Sequence, residues 1–353
     1  MKGLIPSAGL ATRLRPLTSL RPKQVVSVAN KPIILHAVDN MVEAGITEIG
    51  IVVGPLTKPH IQSLLDDYPH AHFEFILQEP PLGIAHAVKV ARPFLGDDPF
   101  VMYLGDNLFE KGIKPFVEAF KAGNKQAVLA LVEVADPRAL GVAVVDGDRI
   151  VKLVEKPEIP PSNLAVAGIY VFDSLIHETI ETLPRGAKNE YQITDAIQKL
   201  IDQGSMVAPV RVEGWWKDTG KPEDVLDANR LVLMKLIGKQ EGRVEDSQII
   251  GEVYIDKDAK VSHSTIMGPA MIGKGAHIEH AYIGPFTSIG DEVVVKNAEI
   301  EYAVIEQRSK VTNIKTRLQA SLIGVDVEVS SRHLRPKTHQ LTLGDKSTIY
   351  LNE

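Results

Sequence analysis

Residues 255–300 read IDKDAKVSHSTIMGPAMIGKGAHIEHAYIGPFTSIGDEVVVKNAEI, and their aliphatic side chains return at near-fixed intervals. Ile255, Val261, Ile266, Ile272, Ile278, Ile283, Ile289, Val295 and Ile300 are spaced 6, 5, 6, 6, 5, 6, 6 and 5. The pattern closes every 17 residues, so Ile255, Ile272 and Ile289 are equivalent, as are Val261, Ile278 and Val295, and Ile266, Ile283 and Ile300. Three short sides per turn, each with one inward aliphatic residue, describe a triangular parallel β-solenoid. Gly268, Gly273, Gly275, Gly284 and Gly290 fall between those positions, where the reading calls for turns.

Upstream the pattern changes. Lys235 to Asp246 is charged and contains Gly238 and Gly242, which marks a boundary. Before it, strand and helix alternate. Lys2–Pro6, 48–53, 73–77, 100–104 and 127–134 read as strands, of which 48–53 and 100–104 read as buried. Residues 33–44, 61–68, 83–92 and 116–123 carry helical spacing. This order predicts a mostly parallel sheet covered by helices. Residues 142–145 and 150–154 flank Asp146-Gly147-Asp148 as a hairpin, so the sheet becomes mixed. Two domains are expected, 1–237 and 246–353.

The 353 residues contain no cysteine, which excludes disulfides, thiolate metal sites and cysteine nucleophiles. A net charge of -6 argues against nucleic acid as the main partner. No apolar run approaches 18 residues and no signal peptide is recognisable, so a soluble, cytoplasmic protein without a membrane partner is expected. Against that acidic background, residues 1–38 hold Lys2, Arg13, Arg15, Arg21, Lys23 and Lys31 and no acid, a charge of +6. Most of these follow the first strand, where open α/β sheets bind ligands. Ser7-Ala8-Gly9-Leu10-Ala11-Thr12-Arg13 is neither a Walker A loop nor a dinucleotide fingerprint. Its small residues let backbone N–H groups approach phosphate oxygens, Arg13 offers a planar fork and Lys23 a point charge.

This stretch, extended through Leu14-Arg15-Pro16-Leu17-Thr18 and Pro22-Lys23, resembles the signature of the sugar-1-phosphate nucleotidyltransferases. Four further stretches resemble that family's motifs, in the expected order: residues 78–87, QEPPLGIAHA; 104–107, LGDN; 155–157, EKP; and 216–220, WKDTG. The sequence departs from the family pattern at Ala8 and Ala11, where glycine is usual. The resemblance implies a Rossmann-like, mixed-sheet α/β nucleotidyltransferase domain followed by a left-handed parallel β-helix. It implies transfer of a nucleotidyl group from dTTP to glucose 1-phosphate with Mg2+, in a homo-oligomer, a trimer through the β-helix being one candidate. UTP in place of dTTP, N-acetylglucosamine 1-phosphate as acceptor, and a non-catalytic sugar-nucleotide sensor are the alternatives.

Residue by residue, the resemblance assigns Asp106 and Asp218 to the metal. Ala8, Gly9, Thr12, Arg13 and Lys23 fall to the triphosphate, and Gln78 and Gly83 to the base. Glu155, Lys156, Gly141 and Gly168 fall to the sugar phosphate, though either glycine could equally be structural. Arg13, Lys23, Asp106, Lys156 and Asp218 form the expected catalytic set. Asp218 could instead cap the helix near Pro222, and Thr194 or Asp195 the helix from Ala196. Asn189 to Asp195 resembles a segment beside the sugar but is not assigned a catalytic part. His36 and His86 are read as packing or surface residues, and Trp215 and Trp216 as an aromatic pair of the core, with one of them lining the pocket as the alternative. An acetyltransferase base among His263, His277 and His280 has no companion motif. Truncation after Ile237 is expected to alter oligomeric state more than chemistry.

Overall fold

The computed structural model describes residues 1–9, 11–186, 189–331 and Ile349. The chain forms two compact units. One comprises Met1–Leu10 with Ile34–Asp218, the other Ala11–Ile33 with Thr219–Glu353.

The first unit is built on a nine-stranded mixed sheet. Lys2–Pro6 lies between Phe100–Tyr103 and Glu48–Val53, parallel to both, and His72–Leu77 extends the parallel set. Leu164–Phe172, buried along its whole length, runs antiparallel to Phe100–Tyr103 and to Ala127–Glu133. The expected hairpin is present as Gly141–Asp146 and Arg149–Glu155. The helix Ile33–Glu43 buries Ile33, Ile34, Ala37, Val38 and Met41, one stripe at helical spacing. The sequence spacing predicts one helix over 83–92, whereas the chain forms Ile84–Val90 and then Arg92–Leu95, with Pro93 in the first turn of the second. The helix expected from Ala196 starts earlier, at Ile193, and its N-cap is Gln192 rather than Thr194 or Asp195.

His177 is buried in this unit, 3% exposed and stacked on Phe100 with ring centroids 5.6 Å apart. Its Nε2 has no hydrogen-bond partner among the described residues. Burial, with help from Arg92, pushes its pKa down to about 4.

In the second unit every solenoid pairing is parallel. Ile255, Ile272 and Ile289 stack in register, as do Val261, Ile278 and Val295, and Ile266, Ile283 and Ile300; each is 0 or 1% exposed. The spacing then breaks, with Ile289 pairing Ile305 and Ile300 pairing Leu318. The ladder begins at Lys239–Gln240 and Arg243–Glu245, ahead of residue 246. These opening strands are largely charged and exposed, and the one inward aliphatic residue they carry, Val244, stacks on Val261 at the same 17-residue interval. The end of the expected 246–353 span lies outside the described residues.

The solenoid turns are not made as the glycines suggested. Of the five, only Gly275 has positive φ. Most left-handed corners use other residues: Asp258, Glu292, Arg308 and Asp326 on one edge, Asp246, His263, His280, Asn297 and Asn313 on another. Gly268, Gly273 and Gly290 serve close stacking instead. A Cβ at Gly290 would lie 2.8 Å from the Gln307 nitrogen in the next coil. His263 and His280 stack along their edge, 4.9 Å apart.

The neutral burial of His177 has a consequence for acid stability. A histidine whose folded pKa is depressed is protonated first in the unfolded chain, so stability is lost as pH falls. The window runs from the ordinary value of 6.5 down to about 4. Melting temperatures across that range should fall in the wild type, with roughly 1 to 3 kcal/mol of the loss removed by His177→Leu. Parallel melting curves for the two proteins would rule out this origin.

Candidate active site

The first unit gathers Asp106, Asp218, Gly168, Gly141, Glu155, Lys156, Gln78 and Gly83 in three groups, with Ala8 and Gly9 in the loop after its first strand. Lys2–Pro6 leads into Ser7, Ala8 and Gly9, and the Ser7 N–H donates to Val52 O at 2.7 Å. Ala8 is buried and lies against Gly54. Gly9 is exposed, and a Cβ there would meet nothing within 4 Å. Ala8 therefore fits without a glycine's freedom, and open space at Gly9 leaves the backbone approachable.

The first group surrounds Asp106. Phe100–Tyr103 ends into Leu104-Gly105-Asp106, and Asn107–Phe109 then pairs antiparallel with Trp216–Asp218. The register sets Asp218 directly opposite Asn107, next to Asp106. Asn107 is 3% exposed. Its Nδ2 donates to Asp106 Oδ1 at 2.9 Å, and its Oδ1 accepts from Trp216 Nε1 at 2.7 Å. Gly168, φ +79°, lies beneath; a Cβ would come 3.0 Å from the Asn107 amide. Asp218 ends a strand and does not cap the following helix, whose N-cap is Lys221.

The second group surrounds Glu155. Gly141 and Glu155 are register partners in the hairpin. Glu155 Oε2 accepts from Thr194 Oγ1 at 3.1 Å, and its Oε1 pairs with Lys156 Nζ at 2.6 Å. A Cβ at Gly141 would strike Thr194 at 2.8 Å. The phenol of Tyr170 is raised by burial and then by the charges of Glu155 and Asp106, so both groups act on one buried ring. Burial and Glu155 also raise the Asp195 carboxyl.

The third group is the segment around Gln78. This side chain is 4% exposed. Its Nε2 donates to Gly83 O at 3.0 Å and lies 3.1 Å from His86 Nδ1. Burial, Lys89 and Arg185 lower the His86 pKa, which favours the neutral ring and a lone pair on Nδ1. Gly83 has φ +99°, and Tyr191 O would lie 2.6 Å from a Cβ there. His86, read as packing or surface, therefore fixes the amide of Gln78.

Thr12, Arg13 and Lys23 lie in Ala11–Ile33 and so belong to the second unit. Ala11 takes the left-handed conformation, φ 46° and ψ 47°, which the usual glycine would adopt without strain. Its carbonyl accepts from Thr18 Oγ1 at 2.8 Å. Thr12 and Arg13 are exposed in the 3-10 turn Thr12–Leu14, and Lys23 begins the 3-10 turn Lys23–Val25. The sequence reading gives Asn107 no role beyond its place in the 104–107 motif, offers Thr194 only as a helix cap, and does not single out Trp216 from Trp215. The signal for Asn107 was a buried strand running straight into Gly-Asp-Asn; its partner Trp216 lies 109 residues away.

Among the described residues no group of three or more His, Asp or Glu side chains could hold a metal unaided. Asp106 beside Asp218 supplies two hard oxygen donors, the number that suits Mg2+ shared with substrate phosphates.

These groups and this sheet define a class. A family profile described as nucleotidyl transferase matches residues 2–235. The chain belongs to the nucleotidyl transferase family. Over 99% of its length it is 46% identical to a low-salt glycan biosynthesis nucleotidyltransferase, Agl11, of Haloferax volcanii, covering 100% of that protein. It is 42% identical to a glucose-1-phosphate thymidylyltransferase of Streptomyces antibioticus, covering 99% of each chain. Among solved structures, a putative glucose-1-phosphate thymidylyltransferase from Bacillus anthracis aligns with TM-score 0.63 and 34% identity, over 68% of this chain and 98% of that one.

Gly168→Ala tests the central group. Pushing the Asn107 amide aside should cost about 1 to 2 kcal/mol of stability and lower kcat about tenfold. Melting and steady-state rates measured together would decide; full activity would show that the placement of Asn107 does not matter.

Proposed function

We propose that the protein transfers a thymidylyl group from dTTP to glucose 1-phosphate, releasing pyrophosphate. The observation that carries this reading is the register of Asn107–Phe109 on Trp216–Asp218, which brings Asp106 and Asp218 to neighbouring positions. A sugar-phosphate oxygen forms the new bond to the α-phosphorus, and the bond from that phosphorus to the pyrophosphate oxygen breaks. The nucleophile is already anionic, so no strong base is needed; the barrier lies in bringing anions together in line.

Asp106 and Asp218 would hold Mg2+, which supplies charge neutralisation on phosphate oxygens. Arg13 and Lys23 hold the triphosphate and the departing pyrophosphate, with Ala8, Gly9 and Thr12 offering backbone and hydroxyl donors. Lys156 holds the sugar phosphate and Glu155 accepts sugar hydroxyls, while Gly141 and Gly168 serve that site indirectly by making room for Thr194 and Asn107. The Gln78 amide nitrogen is committed to Gly83 and His86, which leaves Oε1 as an acceptor. An acceptor matches the N3–H of thymine or uracil and opposes the bare N3 of cytosine. Magnesium use, homo-oligomeric assembly and a cytoplasmic location belong to the same proposal.

A uridylyl reading differs by one methyl, worth about 1 to 3 kcal/mol in an apolar pocket. A UDP-glucose pyrophosphorylase aligned at 27% identity and TM-score 0.61 favours keeping it. Pyrophosphate release with Mg2+ and glucose 1-phosphate, compared for dTTP, UTP, ATP and GTP, should be strongest with dTTP. Preference for a purine would overturn the base assignment. Asp106→Asn should lower kcat by about two to three orders of magnitude, with Tm within about 2 °C of wild type. Near-normal turnover would remove the two-carboxylate site.

A further inference from the structure

Segment Ala11–Ile33 carries Thr12, Arg13 and Lys23, and it is held by the solenoid. Arg21 forms an ion pair with Glu306, whose side chain is 3% exposed, and its Nη1 donates to Glu306 Oε1 at 3.2 Å. The same Oε1 accepts from the Ser27 backbone N–H at 3.0 Å. Glu306 is itself fixed, because its N–H donates to Ile323 O in the next coil. It follows Ile305, where the repeat shortens from 17 residues to 16.

A second tether lies six residues on from Arg21. Ser27–Val28 and Lys31–Pro32 form a hairpin whose turn residues, Ala29 and Asn30, both have positive φ. An alanine in that conformation is strained. It is held by Asn229, 0% exposed, whose Oδ1 accepts from the Ala29 N–H at 2.8 Å and from Ser288 Oγ at 2.7 Å. Asn229 Nδ2 donates to Phe286 O, and Asn30 Nδ2 to Ile289 O at 2.7 Å. Lys23 thus lies between two points fixed to the same rigid ladder.

We infer that Glu306 is a positioning residue for nucleotide binding: through Arg21 and Ser27 it orders the segment that carries Arg13 and Lys23. The inference rests on the triphosphate role proposed for those two residues. It also reverses the sequence expectation for truncation after Ile237, since removing the solenoid removes Glu306, Ile289 and Phe286 together. Burial lowers the Arg21 pKa to about 10, still cationic at neutral pH, so the ion pair persists there.

The test uses the full chain. In Glu306→Ala the KM for dTTP should rise at least about tenfold, while the KM for glucose 1-phosphate stays within about twofold. Glu306→Gln keeps the acceptor for Ser27 and loses the charge; its KM for dTTP should rise about threefold. Asp326→Asn, at the exposed Arg308 pair of the same solenoid, serves as the control and should leave both constants unchanged. An unchanged dTTP constant in folded Glu306→Ala would overturn the inference. Should that variant not fold, an unchanged constant in Glu306→Gln would do so. Wild-type turnover of UTP in place of dTTP would revise the proposed substrate, with the same comparison then read on UTP. A wild type that bound none of the triphosphates would overturn both readings.

Discussion

A buried primary amide left without partners costs on the order of 1 to 3 kcal/mol, and Asn107 sits where that cost would fall on the whole site. Its nitrogen meets Asp106, its oxygen meets the Trp216 indole, and its backbone carbonyl accepts from the Tyr103 hydroxyl at 3.1 Å. Satisfying it requires Trp216–Asp218 in one register, because a slip of one residue would turn Trp216 to the opposite face. The same register carries Asp218 to the position beside Asp106. The carboxylates are thus set by a strand pairing that has its own energetic reason to form.

Around this pairing the rest of the first unit supplies limits on movement. Gly168 lets the central antiparallel strand pass under the amide, and Gly141 lets the hairpin approach Thr194. Glu155 is shared between Thr194 and Lys156, so the cation expected to meet a sugar phosphate already faces its own counter-charge. Lys156 is largely exposed, and an exposed ion pair of this kind is worth little. Under the proposed function an arriving phosphate competes for the lysine at small cost, which leaves the half-buried Glu155 to accept hydroxyls.

Much of this was legible in the sequence because burial leaves periodic marks. The 17-residue aliphatic register survives intact in the ladder from Ile255 to Ile300. The strand ends at Pro6 and Tyr103 are marked by apolar runs that stop at small or polar residues. Side-chain orientation leaves no such mark. Gln78 looks like any polar loop residue until the fold brings Gly83 O and His86 Nδ1 to its amide. Glycines misled in the solenoid because spacing cannot separate a left-handed turn from a tight stack. Asp258, Glu292 and Arg308 make the turns, while Gly268 and Gly290 make room for backbone.

The distribution of the signature between units has a physical logic. A loop that grips several phosphates must be open enough to admit them and still hold its charges in place, since disorder before binding is paid as lost affinity. Thr12 and Arg13 are exposed, and the bonds that Leu14 N–H and Thr18 Oγ1 donate to Ala11 O shape this turn without fixing its place, so the stretch still needs an outside anchor. A solenoid suits the task of supplying it. Each coil is locked to its neighbours by parallel ladders, and a side chain such as Glu306 inherits that rigidity through a backbone bond to Ile323. The irregular coil that carries Glu306 is then a functional departure from the repeat, because a strict 17-residue period would set residue 306, not Ile305, in the aliphatic row of Ile289.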